Sequence, residues 1–131
     1  MCLLKKHAAR LLYIINYKLY IKKMTKYEVE EKTVEYLKTV FDPEIPVNVW
    51  DLGMIYKIDV KESDDEGLFD VDIDMTFTAP NCPAADFILE DIQQKLEGIP
   101  AVKTVNVNVV FEPEWTKDMM SEEAKLDLGF M

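Results

Sequence analysis

The chain has 131 residues, 49% apolar and 31% charged, with a formal net charge of −10. That length and composition fit one soluble globular domain with a modest core. They exclude a membrane-spanning protein, because no uninterrupted apolar run approaches the ~18 residues a span needs.

Charge is unevenly placed. Residues 1–23 hold six of the fifteen basic residues (Lys5, Lys6, Arg10, Lys18, Lys22 and Lys23) and no acid. The remainder carries nine bases against 25 acids. Such a surface repels nucleic acid and anionic membrane, and it suits a partner with a basic face. The two cysteines, Cys2 and Cys82, do not make a disulfide framework, which points to a reducing, cytoplasmic setting. The one histidine, His7, lies in the basic segment. Cys–His and Ser–His–Asp catalysis and histidine-rich zinc sites are thereby excluded from the rest of the chain.

In chain order, residues 1–23 read as a basic N-terminal extension outside the fold, with the domain spanning 24–131. The competing reading is a basic amphipathic segment resting on a membrane surface. Thr25-Lys-Tyr-Glu28 is a capping box and predicts a helix from there to about Phe41. Val34, Leu37 and Phe41 form its expected stripe, with Val29, Tyr36 and Val40 beside it. Asp42-Pro43 should stop it. Asp42-Pro-Glu-Ile-Pro46 is then a rigid acidic loop. In Trp50-Asp-Leu-Gly53 the glycine supplies a turn or a close backbone approach.

Tyr56, Ile58 and Val60 alternate with Lys57, Asp59 and Lys61, which predicts a half-buried strand. Ser63-Asp-Asp-Glu-Gly67 is a polar turn. A second strand follows, with Val71, Ile73, Met75 and Phe77 on one face and Asp70, Asp72, Asp74, Thr76 and Thr78 on the other. The two make a hairpin. The next helix should cover about 83–97, with Pro83 in its first position and Cys82 as N-cap. Ala85, Ile88, Leu89, Ile92 and Leu96 build its core stripe, and Gly98 ends it. Val102 to Phe111 is a third strand, with Val105, Val107, Val109 and Phe111 inward. After Pro113 the tail reads as a capped loop and a short helix. The fold class is α+β: helix–hairpin–helix–strand in a two-layer sandwich, both helices on one face of a small sheet.

Cys82 is the best chemical candidate. At a helix N-cap a thiol meets unpaired backbone N–H groups and the positive end of the helix dipole, and both favour the thiolate. Asp86, and Asp42 and Glu44 if close, push the other way. The plain alternative is a small buried hydrophobe. Asp42 and Glu44 are a carboxylate pair or simply a helix stop. Asp70, Asp72 and Asp74 lack the spacing of a calcium loop and read as a solvated strand face. Trp115, Met119 and Met120 read as core or lid residues.

Four segments in order carry a resemblance: Asp42-Pro-Glu, Asp51-Leu-Gly, Met75-Thr-Phe-Thr-Ala-Pro-Asn-Cys-Pro, and Glu112-Pro-Glu-Trp-Thr-Lys-Asp-Met-Met-Ser-Glu-Glu-Ala. Over about 28–130 the chain resembles the SufT/PaaD-like family of accessory proteins in iron–sulfur cluster assembly. The resemblance implies a pocket holding Asp42, Glu44, Thr78 and Cys82, with Ile45 beside them and Asp51, Thr76 and Trp115 in support. It implies a non-enzymatic role in a SUF-type system. Cys82 would ligate iron or a cluster transiently, or form a persulfide or mixed disulfide. One thiol cannot complete a four-ligand shell, so no tightly bound cofactor is expected. The implied partners are assembly scaffold or carrier proteins and recipient apoproteins, with a homodimer by family likeness. Two features depart from the pattern. Ala79 replaces a second threonine, and the cysteine-bearing extension of the phenylacetate-oxygenase members is missing, which points to the shorter SufT-like branch. The rival readings are an enzyme with Cys82 as nucleophile and Asp42 or Glu44 as base, and an interaction module with an inert cysteine.

Overall fold

The computed structural model describes residues 24–79, 81 and 83–129. The segment 1–23 and Cys82 therefore lie outside the described residues. Element order is helix α1 (Lys26–Leu37), strands β1 (Ile55–Glu62) and β2 (Phe69–Met75), helix α2 (Ala85–Glu97), strand β3 (Val102–Val109), a 3₁₀ turn (Lys117–Met119) and helix α3 (Glu122–Asp127). No helix among the described residues is long and apolar enough to cross a membrane.

The sheet has the order β1-β2-β3. β1 and β2 pair antiparallel, as the hairpin pattern predicts, with Ile58 opposite Ile73 and Val60 opposite Val71. β2 and β3 pair parallel, with Ile73 opposite Val107. A parallel pair needs a crossover, and α2 supplies it. Phe69, Val71, Ile73 and Met75 are all buried on one face of the central strand. Both long helices pack against the sheet and against each other, with Ile88, Ile92 and Leu96 of α2 fully enclosed. The opposite face is polar and uncovered at its centre. There Asn106 Nδ2 donates to Asp72 at 3.0 Å and Asn108 Nδ2 to Asp74 at 3.2 Å. Asp72 and Asp74 thus belong to a solvated strand face, whereas Asp70 Oδ1 at its start is buried without a hydrogen-bond partner among the described residues. Along β1, the Asp59 carboxylate lies 3.2 Å from the Lys61 ammonium and raises its pKa above the ordinary lysine value.

Several expectations are corrected. The α1 stripe is Val29, Thr33 and Leu37, at i, i+4 and i+8. Thr33 is tolerated there because its hydroxyl donates to the Val29 carbonyl at 2.7 Å. The helix ends at Leu37, four residues before the expected stop. Val49 N–H bonds the Val40 carbonyl at 2.8 Å and Phe41 bridges to Asn48, so strand-like pairing takes the chain out of the helix before Pro43 acts. Phe41 is consequently exposed. Helix α2 starts at Ala85, with Ala84 as its N-cap and no side-chain cap bond. Its first turn closes from Ile88 N–H to the Ala84 carbonyl at 3.0 Å. Pro83 is thus not the first helical residue, and the cap is Ala84.

The tail corrects the strand ends. β3 stops at Val109, and the last ladder bond runs from Val110 N–H to the Met75 carbonyl at 2.8 Å. Phe111 is therefore half exposed instead of inward. β2 stops at Met75, and Thr76 is 1% exposed although the alternation puts it on the solvent side. The tail makes the difference by crossing that end of the sheet. A bulge between Ile55 and Lys57 leaves Tyr56 unopposed, and its hydroxyl donates to the Pro113 carbonyl at 2.7 Å. Trp115 Nε1 donates to the Leu52 carbonyl at 2.7 Å, and Ser121 N–H to the Asp51 carbonyl at 2.8 Å. Gly53, at φ +75°, sits directly beneath the Met119 carbonyl.

The cap expected at Thr25 forms, and the tail helix is capped by Ser121. Thr25 Oγ1 accepts from Glu28 N–H at 3.2 Å, and Ser121 Oγ from Ala124 N–H at 3.2 Å. Thr25→Ala should cost about 1 kcal/mol in urea denaturation. Thr25→Ser, which keeps the acceptor oxygen, should recover most of that loss.

Candidate functional site

The acidic loop after α1 is held by its own first residue. Asp42 is 4% exposed, and its Oδ1 accepts from Glu44 N–H at 2.9 Å. Its carbonyl accepts from Ile45 N–H at 3.3 Å. This is an Asx turn, in which a short carboxylate replaces a backbone acceptor. Glu44 points into solvent from that turn, and Ile45 is half buried against the core. Asp51 is a second local clamp. Its Oδ2 accepts from Asn48 Nδ2 at 2.7 Å, and its N–H donates to Asn48 Oδ1 at 2.9 Å. Through its carbonyl it also receives Ser121 from the tail.

At the C-terminal end of β2 the chain opens a cavity of about 170 Å³. Thr76, Phe77, Thr78, Phe111, Glu112, Glu114 and Trp115 line it. Thr76 is fixed by its N–H, which donates to the Met54 carbonyl at 2.8 Å. Thr78 is half buried, and Ala79 and Asn81 beyond it are exposed. Trp115 is held by its indole bond to Leu52. Three expected site residues, Thr76, Thr78 and Trp115, thus meet at one place. Asp42, Glu44 and Asp51 are not among the residues on that cavity's wall. Cys82 follows Thr78 by four residues in sequence and lies outside the described residues.

Glu112 and Glu114 were not singled out by the sequence as site residues. Both belong to the Glu-Pro-Glu-Trp motif, where two acids flank a proline directly ahead of a tryptophan. That motif is a signal, but the residues' place on the same cavity wall as the threonines depends on the tail folding back across the sheet. Among the described residues, no group of three or more His, Cys, Asp or Glu side chains is arranged to hold a metal ion.

A two-layer α+β domain with a threonine-walled cavity at the end of its central strand is the class defined by this fold and site. Two solved structures share the architecture. One is a domain of unknown function from Bacillus anthracis, with TM-score 0.71 and 34% identity, covering 81% of this chain and 96% of that one. The other is a conserved hypothetical protein from Thermotoga maritima, with TM-score 0.64 and 36% identity, covering 82% and 97%.

The chain belongs to the iron–sulfur cluster assembly protein family, whose pattern matches residues 30–109. It is similar to an Fe-S protein maturation auxiliary factor of Porphyromonas gingivalis, 58% identical over 79% of this chain and 94% of that protein. It is also similar to the Fe-S protein maturation auxiliary factor SufT of Staphylococcus aureus, 43% identical over 69% and 97% respectively. A third relative is the auxiliary factor YitW of Bacillus subtilis, 38% identical over 77% and 94%.

Proposed function

We propose that this protein is a non-catalytic accessory factor in the maturation of iron–sulfur proteins in a SUF-type system, acting in the cytoplasm through Cys82. The observation that supports it most is the 58% identity to a maturation auxiliary factor across 94% of that relative's length. The cluster is cargo, passed between a scaffold or carrier and a recipient apoprotein. Cys82 takes part as a transient sulfur ligand, and the partners' cysteines or a small thiol complete the shell. Beyond residue 23 the chain has no other cysteine and no histidine, so it cannot fill four soft positions alone. Thr78 is the hydroxyl nearest to that thiol along the chain, and its proposed role is to donate to the thiolate. The exposed Glu44 meets the partner's basic face, while Asp42 holds the loop that presents it.

The test is complementation. A strain lacking the native gene receives wild type or Cys82→Ser, and the specific activity of an iron–sulfur enzyme is measured against its protein level. Cys82→Ser should leave activity at the level of the deletion strain. Its purified unfolding free energy should stay within about 0.5 kcal/mol of wild type. Full maturation by Cys82→Ser would overturn the proposal.

A further inference from the structure

The flank of the sheet beside β3 joins an open strand edge to a row of carboxylates on α2. Gln93 of α2 reaches down to this edge, where its Nε2 donates to the Val105 carbonyl at 3.0 Å. That bond shows which side of α2 overhangs β3. Asp86, Glu90, Gln93 and Glu97 follow one another at i, i+4, i+7 and i+11, so they form a single stripe on that side. Asp86, Glu90 and Glu97 are exposed and make no ion pair among the described residues. Glu90 and Glu97 accept only from glutamines of their own helix, Gln94 at 3.4 Å and Gln93 at 2.7 Å. Lys103, the base on β3, is held by Asp65 at 3.0 Å.

Beneath the stripe lies open backbone. Val110 N–H donates to the Met75 carbonyl, and residues of a parallel ladder face their neighbour alternately, so Asn106, Asn108 and Val110 turn their backbone groups toward β2. Val105, Val107 and Val109 turn theirs outward. Of these groups only the Val105 carbonyl has a partner among the described residues. The rest can receive one short added strand. Thr104, Asn106 and Asn108 beside them carry no charge that would repel it. On the helix side Val107 and Val109 are only partly buried, and an added strand would complete their cover.

We propose that this edge takes an extended segment of a protein partner with lysine or arginine at alternate positions, added as a strand outside β3 and beneath the carboxylate stripe. Main-chain bonds to Val107 and Val109 hold the strand, and its side chains select it. Basic residues on its helix side lay their stems along Val107 and Val109 and bring their charges to Asp86 and Glu90. An acidic strand is repelled by the same stripe. A second copy of this chain is opposed too, because pairing β3 with β3 sets two such stripes side by side on one face of the joined sheet. The excess of 25 acids over nine bases beyond residue 23 steers a basic segment to this surface. Asp86 follows Cys82 by four residues, so the strand is delivered to the helix end nearest the thiol in sequence. The inference rests on the maturation reading only for the partner's identity; binding is tested separately.

The experiment measures amide hydrogen exchange on the ¹⁵N-labelled full chain with the probe peptide acetyl-Thr-Lys-Thr-Lys-Thr-Lys-Thr-amide. One control peptide has glutamate in place of lysine. The other is the lysine peptide methylated at its backbone nitrogens, which keeps the charges and loses the strand donors. At saturation the lysine peptide should slow exchange at the Val107 and Val109 N–H groups by roughly tenfold or more. Asn106 and Asn108, which already donate to β2, should not change. The Glu90→Gln, Glu97→Gln double variant keeps an acceptor oxygen at both places and should bind about fivefold more weakly, with an unchanged unfolding temperature. Cys82→Ser should bind as wild type does, so a failed complementation test leaves this result standing and the converse also holds. Four results would each overturn the proposal. These are no slowing with the lysine peptide, equal slowing with either control, undiminished binding by the double variant, and slow exchange at Val107 and Val109 without peptide that deepens with protein concentration. The last would assign the edge to a second copy of the chain.

Discussion

Replacing Gly53 with valine is expected to lower stability by about 3 kcal/mol or more. Gly53 has φ +75°, where an L side chain costs about 1–2 kcal/mol and a β-branched one more. A Cβ there would also collide with the Met119 carbonyl and press on the Met119 carbon and Cβ at 2.7 and 2.9 Å. Those are mainly backbone atoms of the 3₁₀ turn, so relief requires moving the tail. Moving it strains the Ser121–Asp51 and Trp115–Leu52 bonds on either side. For a domain of this size the unfolding temperature should fall by roughly 12 °C or more. Gly129→Val is the control, since Gly129 has φ +76° and nothing among the described residues lies within 4 Å of the place its Cβ would take. It carries the dihedral cost alone. Equal effects at the two glycines would show that the tail does not rest on the 50–54 turn.

The second large effect is expected at the sheet centre. Ile73 is 0% exposed, lies midway along β2 and stands between Ile58 and Val107. Ile73→Ala should cost about 2–5 kcal/mol, the sum of lost burial and the void left in a core closed by both helices. Asp72→Ala, one residue away on the uncovered face, loses one exposed bond from Asn106 and should cost about 0.5 kcal/mol or less. Urea denaturation with unchanged slopes would measure the contrast. Similar costs at the two positions would mean that the polar face is covered in solution.

Elements with local causes were legible in the sequence. Val71, Ile73 and Met75 announce β2 by period alone, because one residue of slip would expose all three. Thr25 marks the start of α1 through a single oxygen. Gly53 was readable as a close approach, though not what approaches it. The misreadings share a different origin. Phe41, Thr76 and Phe111 each follow a local period into a region where distant segments take over: the Phe41–Asn48 bridge, the Thr76–Met54 bond and the tail crossing β2. No window of sequence contains both partners of the longest of these contacts. The same distance effect governs the site. Thr78 and Trp115 stand in separate motifs, and only folding brings them to one cavity, together with Glu112 and Glu114. Asp42 reads either as half of a carboxylate pair or as part of a helix stop, and the Asx turn it holds accounts for its burial.

The strand order β1-β2-β3 has one more consequence. Both outer strands carry an edge row of backbone donors and acceptors, of which the Val105 carbonyl on β3 already accepts from Gln93 Nε2 at 3.0 Å; the rest is a template on which a foreign strand can add. β1 guards its margin with Lys57, Asp59 and Lys61. β3 carries Thr104, Asn106 and Asn108 at the corresponding places, without charge. Its flank is therefore the softer of the two toward self-association, and the place where an added lysine would do most to keep concentrated protein in solution.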